Sequence, residues 1–292
     1  MRDSNSQCRV CGQMLVPWFS RHGRDVYRCP FCRHIQVPAG IAQTDSGKSI
    51  YEEENASIFE GEGTAEYYFD EGATDAAQRK LKFVTRWANS GGQLLDIGAN
   101  YGQFLFAAST AFQCAGLEPN PSAVAWSRSN LKVNNAVGSI YNLSPHCPEP
   151  VQVMTAWDVI EHLDDPRRAL AECRRNLEPG GWIFLSTPDA GSIVGRIMGH
   201  RWHYQDPVQH INLLSRYNLD RLLRESGFRV AGHITFGRSY RVSYIVSRLI
   251  FLLEQHPLGA VVRTLRHLPL FINRAHVSIK LWDVVGVAAQ AK

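Results

Sequence analysis

The sequence predicts an α/β body, a doubly wound parallel sheet with helices on both faces, behind a small N-terminal ribbon. Three observations carry this. Leu94–Phe104 reads as an apolar strand, a glycine-flanked turn and the opening of a helix; further strand-like segments follow at Gln113–Pro121, Val153–Pro166 and Leu177–Pro188; and two CxxC pairs precede them all. A βαβα alternation favours a parallel sheet, because parallel neighbours need a crossover that a helix supplies.

With 292 residues and 45% apolar content the chain can bury the core of one ordinary domain plus a smaller appendage. Its first residues, MRDSNSQCRV, contain no apolar leader, and no stretch approaches about eighteen uninterrupted apolar residues. The expectation is a cytoplasmic protein without a transmembrane segment. A formal charge of +4 is mild for this length and does not announce nucleic-acid binding.

The first unit spans 1–37. Cys8-x-x-Cys11 and Cys29-x-x-Cys32 bracket a hairpin, Met14–Phe19 and Asp25–Arg28, around Arg21-His22-Gly23. Each pair places two thiolates on a tight turn, and closing the hairpin brings the four together at tetrahedral Zn–S distances of about 2.3 Å. All four positions are used, so the zinc is structural. Disulfides are the alternative, disfavoured in a reducing compartment. Cys114, Cys147 and Cys173 fall in the body and read as small buried hydrophobes.

Residues 38–72 form a linker ending in an aromatic cap: a Gly-, Ser- and acid-rich run followed by Tyr67, Tyr68 and Phe69. The body, 73–292, opens with an amphipathic helix, Ala76–Ala88, carrying Leu81, Val84 and Trp87 at helical spacing. In the next strand and turn, Gly98 and Gly102 let the backbone bend tightly and a ligand approach without a Cβ in the way. The rhythm Gly98-Ala99-Asn100-Tyr101-Gly102 differs from the three-glycine dinucleotide fingerprint. The following strand ends at Glu118, where such folds place an acid on a ribose diol. A helix near Ser122–Asn130 and a short strand near Ala136 come next. Asp165-Pro166 reads as N-cap and first helical residue, Pro179-Gly180-Gly181 as the end of that helix, and Ser215 and Gly227 as the limits of another. An insertion, 239–277, shows helical stripes (Ile245, Leu249, Leu253; Val262, Leu265) among arginines, suiting either a lid or a membrane-surface helix pair.

Taken together, the four strand-and-turn segments resemble the class I S-adenosylmethionine-dependent methyltransferases, in particular the set typified by ubiquinone-biosynthesis and polysaccharide or sugar methyltransferases, over roughly Leu81 to Gly237. The resemblance implies a Rossmann-like seven-stranded sheet whose last strand is antiparallel, formed by Phe228–Phe236 and Leu281–Ala289. It also implies that Asp96, Gly98, Asn100, Tyr101 and Gly102 lie against the methionine part of S-adenosylmethionine. Glu118 and Pro119 would meet the ribose, and Ala156, Trp157 and Asp158 the sulfonium side. The adenine position, which in the family usually has an acid, reads Ser139-Ile140-Tyr141-Asn142 here, and the Tyr-rich stretch at 67–69 is where relatives often close over the cofactor. For a hydroxyl acceptor the candidate bases are His210, in the connection after the 177–188 strand, and His162, just past Trp157. Glu161 with His162 also offers a divalent-metal pair, as in some ubiquinone-pathway relatives.

Three functions fit these residues. The first is methylation of a hydroxyl on a small molecule, sugar or polysaccharide. The second is RNA methylation, with Arg9, Arg21, Arg24, Arg28 and Arg33 as a phosphate footprint and Trp18, Phe19 and Phe31 for stacking, although Trp157-Asp158-Val159-Ile160 stands where an NPPY-like amide-donor loop would be. The third is a degenerate fold kept as a binding scaffold, against which intact Asp96, Gly98, Gly102 and Glu118 argue.

Overall fold

A computed structural model describes residues 7–38, 71–147, 149–208, 210–242, 246, 276–279 and 281–292. The linker run, Tyr67, Tyr68 and Phe69, and most of the 239–277 insertion lie outside the described residues.

The ribbon begins with β1 (Val16–Arg21) and β2 (Arg24–Arg28), paired antiparallel across His22-Gly23. Both turn residues have positive φ, 52° and 71°, which is the two-residue hairpin geometry that matches the strands' twist. The two CxxC turns are built alike. In the first, Gly12 N–H donates to Cys8 O and Gly12 sits at φ 73°; in the second, Arg33 N–H donates to Cys29 O and Arg33 sits at φ 61°.

The body opens with α1 (Glu71–Thr85), which buries Ala77, Leu81, Phe83 and Val84. Next come β4 (Gln93–Ile97), α2 (Gln103–Ala108), β5 (Gln113–Glu118), α3 (Pro121–Leu131) and β6 (Asn135–Val137). Asn120 caps α3 by accepting from Ser122 and Ala123 N–H. A second βα run follows: β7 (Val151–Trp157), a 3-10 turn (Ile160–His162), α4 (Pro166–Arg175) and β8 (Leu177–Pro188). Asp165 caps α4 as its sequence predicts, accepting from Arg168 N–H.

Here the structure differs from the local reading. The helix stops at Arg175 with Asn176 as its cap, and Pro179-Gly180-Gly181 lies inside β8. The strand is bulged there: Val151 pairs with Leu177, but Val153 already pairs with Trp182. The extra residues are absorbed at Gly180, whose φ is 76°.

After α5 (Ile193–Met198) and a loop, the two-residue β9 (Asn212–Leu213) precedes α6 (Arg216–Glu225), β10 (Phe228–Thr235), β11 (Arg238–Arg241), β12 (His276–Ile279) and β13 (Val284–Ala291). Among the described residues the large sheet has seven strands in the order β10-β13-β8-β7-β4-β5-β6, and β13 runs antiparallel to both neighbours. This is the predicted doubly wound sheet with an antiparallel last strand, and β10 and β13 pair as its antiparallel edge, as expected. The described ends of the 239–277 insertion are not helical, because β11 and β12 pair as a two-stranded ribbon; Val242 and Val246 between them are helical. Among the described residues no helix is long and apolar enough to cross a membrane.

The N-terminal ribbon is not a separate bead. β3 (Ile35–Gln36) pairs with β2 on one side and with β9 of the body on the other, so the small sheet runs β1-β2-β3-β9. Asn218 reinforces the joint from within α6. It completes the Ser215 capping box and donates from Nδ2 to Cys32 O at 3.0 Å, with no exposure to solvent. Asn218→Ala should therefore remove the side-chain half of the capping box, its Oδ1 accepting from Ser215 N–H, and leave the buried Cys32 carbonyl without its donor. A loss of about 2 to 3 kcal/mol in chemical unfolding is expected, and an unchanged unfolding midpoint would contradict the joint.

Candidate active site

Chain order in the large sheet reverses at β4: β5 and β6 extend one way, β7 and β8 the other. The crevice outside the carboxyl ends of β4, β5 and β7 is where an open α/β sheet binds ligands. The turn after β4 is shaped by its glycines. Gly98 has φ 71°, and a Cβ there would sit 2.5 Å from Val159 Cγ2; Gly102 has φ 80°, and its Cβ would meet Ser127 Cβ and Val133 Cγ2 at 3.1 Å. Asn100 takes φ 47° between them, its carbonyl held by Asn135 Nδ2 at 3.1 Å. Tyr101 is half-buried and meets Trp126 edge-on at 5.5 Å.

Glu118, at the end of β5, is 7% exposed. Oε2 accepts from Asn100 N–H and Oε1 from Asn120 N–H, each at 2.9 Å. Burial pushes its carboxyl up, and those two backbone donors pull it back. A carboxylate held this way keeps lone pairs for the two hydroxyls of a ribose. Pro119 is exposed and carries the chain into α3. Asp96 is buried beneath the turn, accepting from Thr155 Oγ1 at 2.6 Å, and burial pushes its carboxyl up to about 7.

Across the crevice, Ala156 and Trp157 end β7. Both are buried, and Trp157 meets Phe104 edge-on at 5.2 Å. Asp158 follows at φ 57°, tied to β8 by its N–H to Ser186 O at 3.0 Å and by Ser186 Oγ to its Oδ1 at 3.0 Å. Lys80 of α1 reaches the same corner, with Nζ 3.9 Å from Asp158 Oδ2 and 5.3 Å from the centre of the Trp157 ring. Sequence reasoning passed over Lys80, Thr155 and Ser186. Lys80 reads as part of a solvated helix face, and nothing local distinguishes it.

The next turn brings together residues far apart in the chain. Glu161, His162 and His210 each present a ligand atom, all within 4.8 Å of one another, and the two imidazole rings lie 5.1 Å apart. Glu161 is 1% exposed. His210 Nδ1 lies 3.0 Å from Tyr204 O, and since a carbonyl only accepts, Nδ1 carries the proton and the lone pair belongs to Nε2.

A family model described as "Methyltransferase domain" matches residues 69–232, which hold the whole of this crevice. The chain belongs to that family. The chain is 29% identical over 115 residues to the ubiquinone biosynthesis O-methyltransferase of Nitrosospira multiformis, covering 37% of this chain and 48% of that one. A 37.1 kDa protein in a Streptomyces fradiae transposon, of no stated activity, is 28% identical over 242 residues, 76% of this chain and 67% of its own. The chain spans about half the length of the first of these relatives. Among solved structures, an S-adenosylmethionine-dependent methyltransferase from Archaeoglobus fulgidus matches with a TM-score of 0.52 at 17% identity, over 78% of this chain and all (100%) of that one. The Synechocystis magnesium protoporphyrin IX methyltransferase with bound S-adenosylhomocysteine matches with a TM-score of 0.50 at 9% identity, over 76% and 84%. These likenesses establish a class I methyltransferase fold.

The cysteine cluster of the ribbon also assembles. Cys8, Cys11, Cys29 and Cys32 place their sulfurs within 4.8 Å of one another, with Cys8 to Cys32 at 3.5 Å and Cys11 to Cys29 at 3.4 Å. These separations are too long for disulfides of about 2.05 Å. They are close to the sulfur–sulfur edge of about 3.8 Å that a tetrahedron of 2.3 Å Zn–S bonds requires. Buried His34 adds Nδ1 at 3.5 Å from Cys8 Sγ. Cys147 and Cys173 are buried and Cys114 half-buried, as expected of packing residues.

The Asp96 carboxyl gives a testable pH effect. Its ordinary value is 3.8 and its folded value about 7, so the folded protein holds the proton more tightly than the unfolded chain. The stability it contributes is full below about pH 4 and is lost as pH rises towards about 7. Asp96→Asn, which keeps an acceptor for Thr155, should flatten this part of the pH–stability curve. Equal slopes for both proteins in urea unfolding between about pH 4 and pH 7 would contradict the burial argument.

Proposed function

We propose that this methyltransferase transfers the methyl group of S-adenosylmethionine to a hydroxyl of a small molecule, a sugar or a polysaccharide end. The observation that carries this reading is the pairing of His210 and His162 after β7, at the same carboxyl edge of the sheet where Glu118 ends β5. The named activity of the Nitrosospira relative, an O-methyltransferase, supports a small-molecule acceptor.

Bound S-adenosylmethionine supplies a methyl already activated by its sulfonium, so the protein's tasks are placement and proton removal. Asp96, Gly98, Asn100, Tyr101 and Gly102 cradle the methionine part, the glycines by removing side chains and the turn by its backbone polar groups. Glu118 accepts from the ribose hydroxyls and Pro119 borders them. Ala156, Trp157 and Asp158 wall the sulfonium side. His210 Nε2 takes the acceptor's proton, while Tyr204 O steadies the charge that develops on the ring through Nδ1–H. His162 packs beside it.

A second reading uses the same turn. Glu161, His162 and His210 form a mixed carboxylate and imidazole donor set that suits a divalent cation, which would polarise the acceptor hydroxyl. Activity abolished by chelator and restored by a divalent ion favours this reading; chelator-insensitive activity favours the base. RNA methylation is less well supported than the sequence suggests, because the ribbon's arginines are partly spent inside the protein. Arg9, Arg21 and Arg24 all donate to the body's 205–212 segment, leaving Arg28 and Arg33 of the five-residue footprint. A scaffold role predicts no cofactor binding, which calorimetry with S-adenosylmethionine decides.

His210→Ala should leave S-adenosylmethionine affinity nearly unchanged and lower turnover by about 100-fold to 10,000-fold. The assay is methyl transfer from labelled cofactor to the acceptor recovered from cell extract; an unmodified rate would remove His210 from the chemistry. For the ribbon we propose one zinc, held by Cys8, Cys11, Cys29 and Cys32. Metal analysis of the purified protein should find it, and Cys29→Ser should reduce it; zinc-free protein would refute the assignment.

A further inference from the structure

The loop between α5 and β9 carries His210, yet the helices and strands of its own domain hold only part of it. Trp202 Nε1 donates to Asp283 Oδ2 at 3.3 Å and anchors the loop's start to the body. Inside the loop, Val208 N–H donates to Asp206 Oδ1 at 3.0 Å and His210 N–H to Asp206 O at 2.8 Å. Further anchors come from the ribbon. Arg21 Nη1 donates to Gln205 O at 2.6 Å, the residue directly after the Tyr204 whose carbonyl orients His210. Arg24 Nη1 reaches Pro207 O at 3.3 Å. Arg9 Nη1 donates to Ile211 O at 3.2 Å and to Asn212 Oδ1 at 3.0 Å, and Val37 N–H donates to Ile211 O at 3.0 Å.

The same contacts reach the second histidine. Asn212, paired with Gln36 across β9 and β3, donates from Nδ2 to Leu163 O at 2.6 Å, and Leu163 follows His162. Ribbon side chains Val26, Ile35 and Gln36 also line the small space that His210 shares with Gln205 and Pro207. A carbonyl fixed by a guanidinium cannot drift, and a residue one peptide away inherits that restraint.

We infer that the N-terminal ribbon is the positioning element of the acceptor side of the site, with Arg21 as its principal positioning residue. It sets the 203–211 loop so that Tyr204 O holds the His210 ring in its working orientation. This rests on the reading that His210 faces the acceptor. Glu118 is held instead by Asn100 and Asn120 N–H of the body, so cofactor affinity serves as a readout separate from the ribbon joint.

The test uses the full chain and three variants: Arg21→Met, Arg21→Lys, which keeps a cationic donor, and Arg24→Met as a second cut in the same joint. Arg21→Met should lower turnover of the extract-derived acceptor by about tenfold to a hundredfold, with S-adenosylmethionine affinity nearly unchanged. Amide exchange should quicken across 203–211 and stay unchanged in α6 and β10. Arg21→Lys should recover most of the turnover, and Arg24→Met should show a weaker form of the Arg21→Met pattern. The proposal is overturned if both Met variants turn over normally, if turnover and cofactor affinity fall together, or if Arg21→Lys is no better than Arg21→Met. Normal turnover by His210→Ala would instead overturn the base assignment, and loop exchange in the Arg21 variants would still report on the joint.

Discussion

The close approach of the β4 turn to the turn after β7 is the constraint from which the site follows. At Gly98 the backbone passes so near Val159 that a Cβ would lie 2.5 Å from its Cγ2, at a φ that side chains rarely adopt. Holding these turns in contact brings three strand ends to one edge. Glu118 is fixed by Asn100 N–H from one turn, and Asp158 leads into Glu161 and His162 in the other. A larger residue at Gly98 would force these two turns apart.

The side of the crevice that holds Glu161, His162 and His210 depends on a long-range joint. β3 and β9 are two residues each, too short to be stable by their own pairing, and they persist because they close a sheet between two bodies already held by other means. On the ribbon side the four cysteines would fix both ends of the hairpin through zinc. On the body side Asn218 and Arg167 reach across, the latter donating to Arg9 O and Val10 O. Zinc bound there would then supply folding energy to the joint as well as to the ribbon.

Much of this was legible in the sequence because it is local. Gln113–Glu118 begins and ends where its apolar run does, and Asp165-Pro166 and Ser215 cap their helices as such residues do. The Gly98–Gly102 turn and both cysteine pairs announce themselves by spacing. What stayed hidden depends on tertiary partners. Pro179-Gly180-Gly181 carries a helix-ending pattern, but a bulge lets β8 absorb it. Arg9, Arg21 and Arg24 read as a phosphate footprint because a donor's partner is invisible in sequence; here three carbonyl-bearing residues of a loop nearly two hundred positions away accept them. Glu161, His162 and His210 come together for the same reason, across a separation no motif spans.

The hydrogen bond from His210 Nδ1–H to Tyr204 O matters to either chemistry proposed for the site. It fixes the tautomer, so Nε2 presents its lone pair whether the partner is an acceptor proton or a divalent cation. A base must gain a proton in each turnover, and the imidazolium then formed is stabilised by the same carbonyl; a ligand must keep its lone pair on the metal throughout. Glu161 bears on the choice. As a buried carboxylate beside two imidazoles it would raise the basicity of His210 in the first case and neutralise part of the cation's charge in the second. In both, the geometry that counts is the orientation of one ring, and that orientation is set by a loop which the ribbon's arginines hold in place.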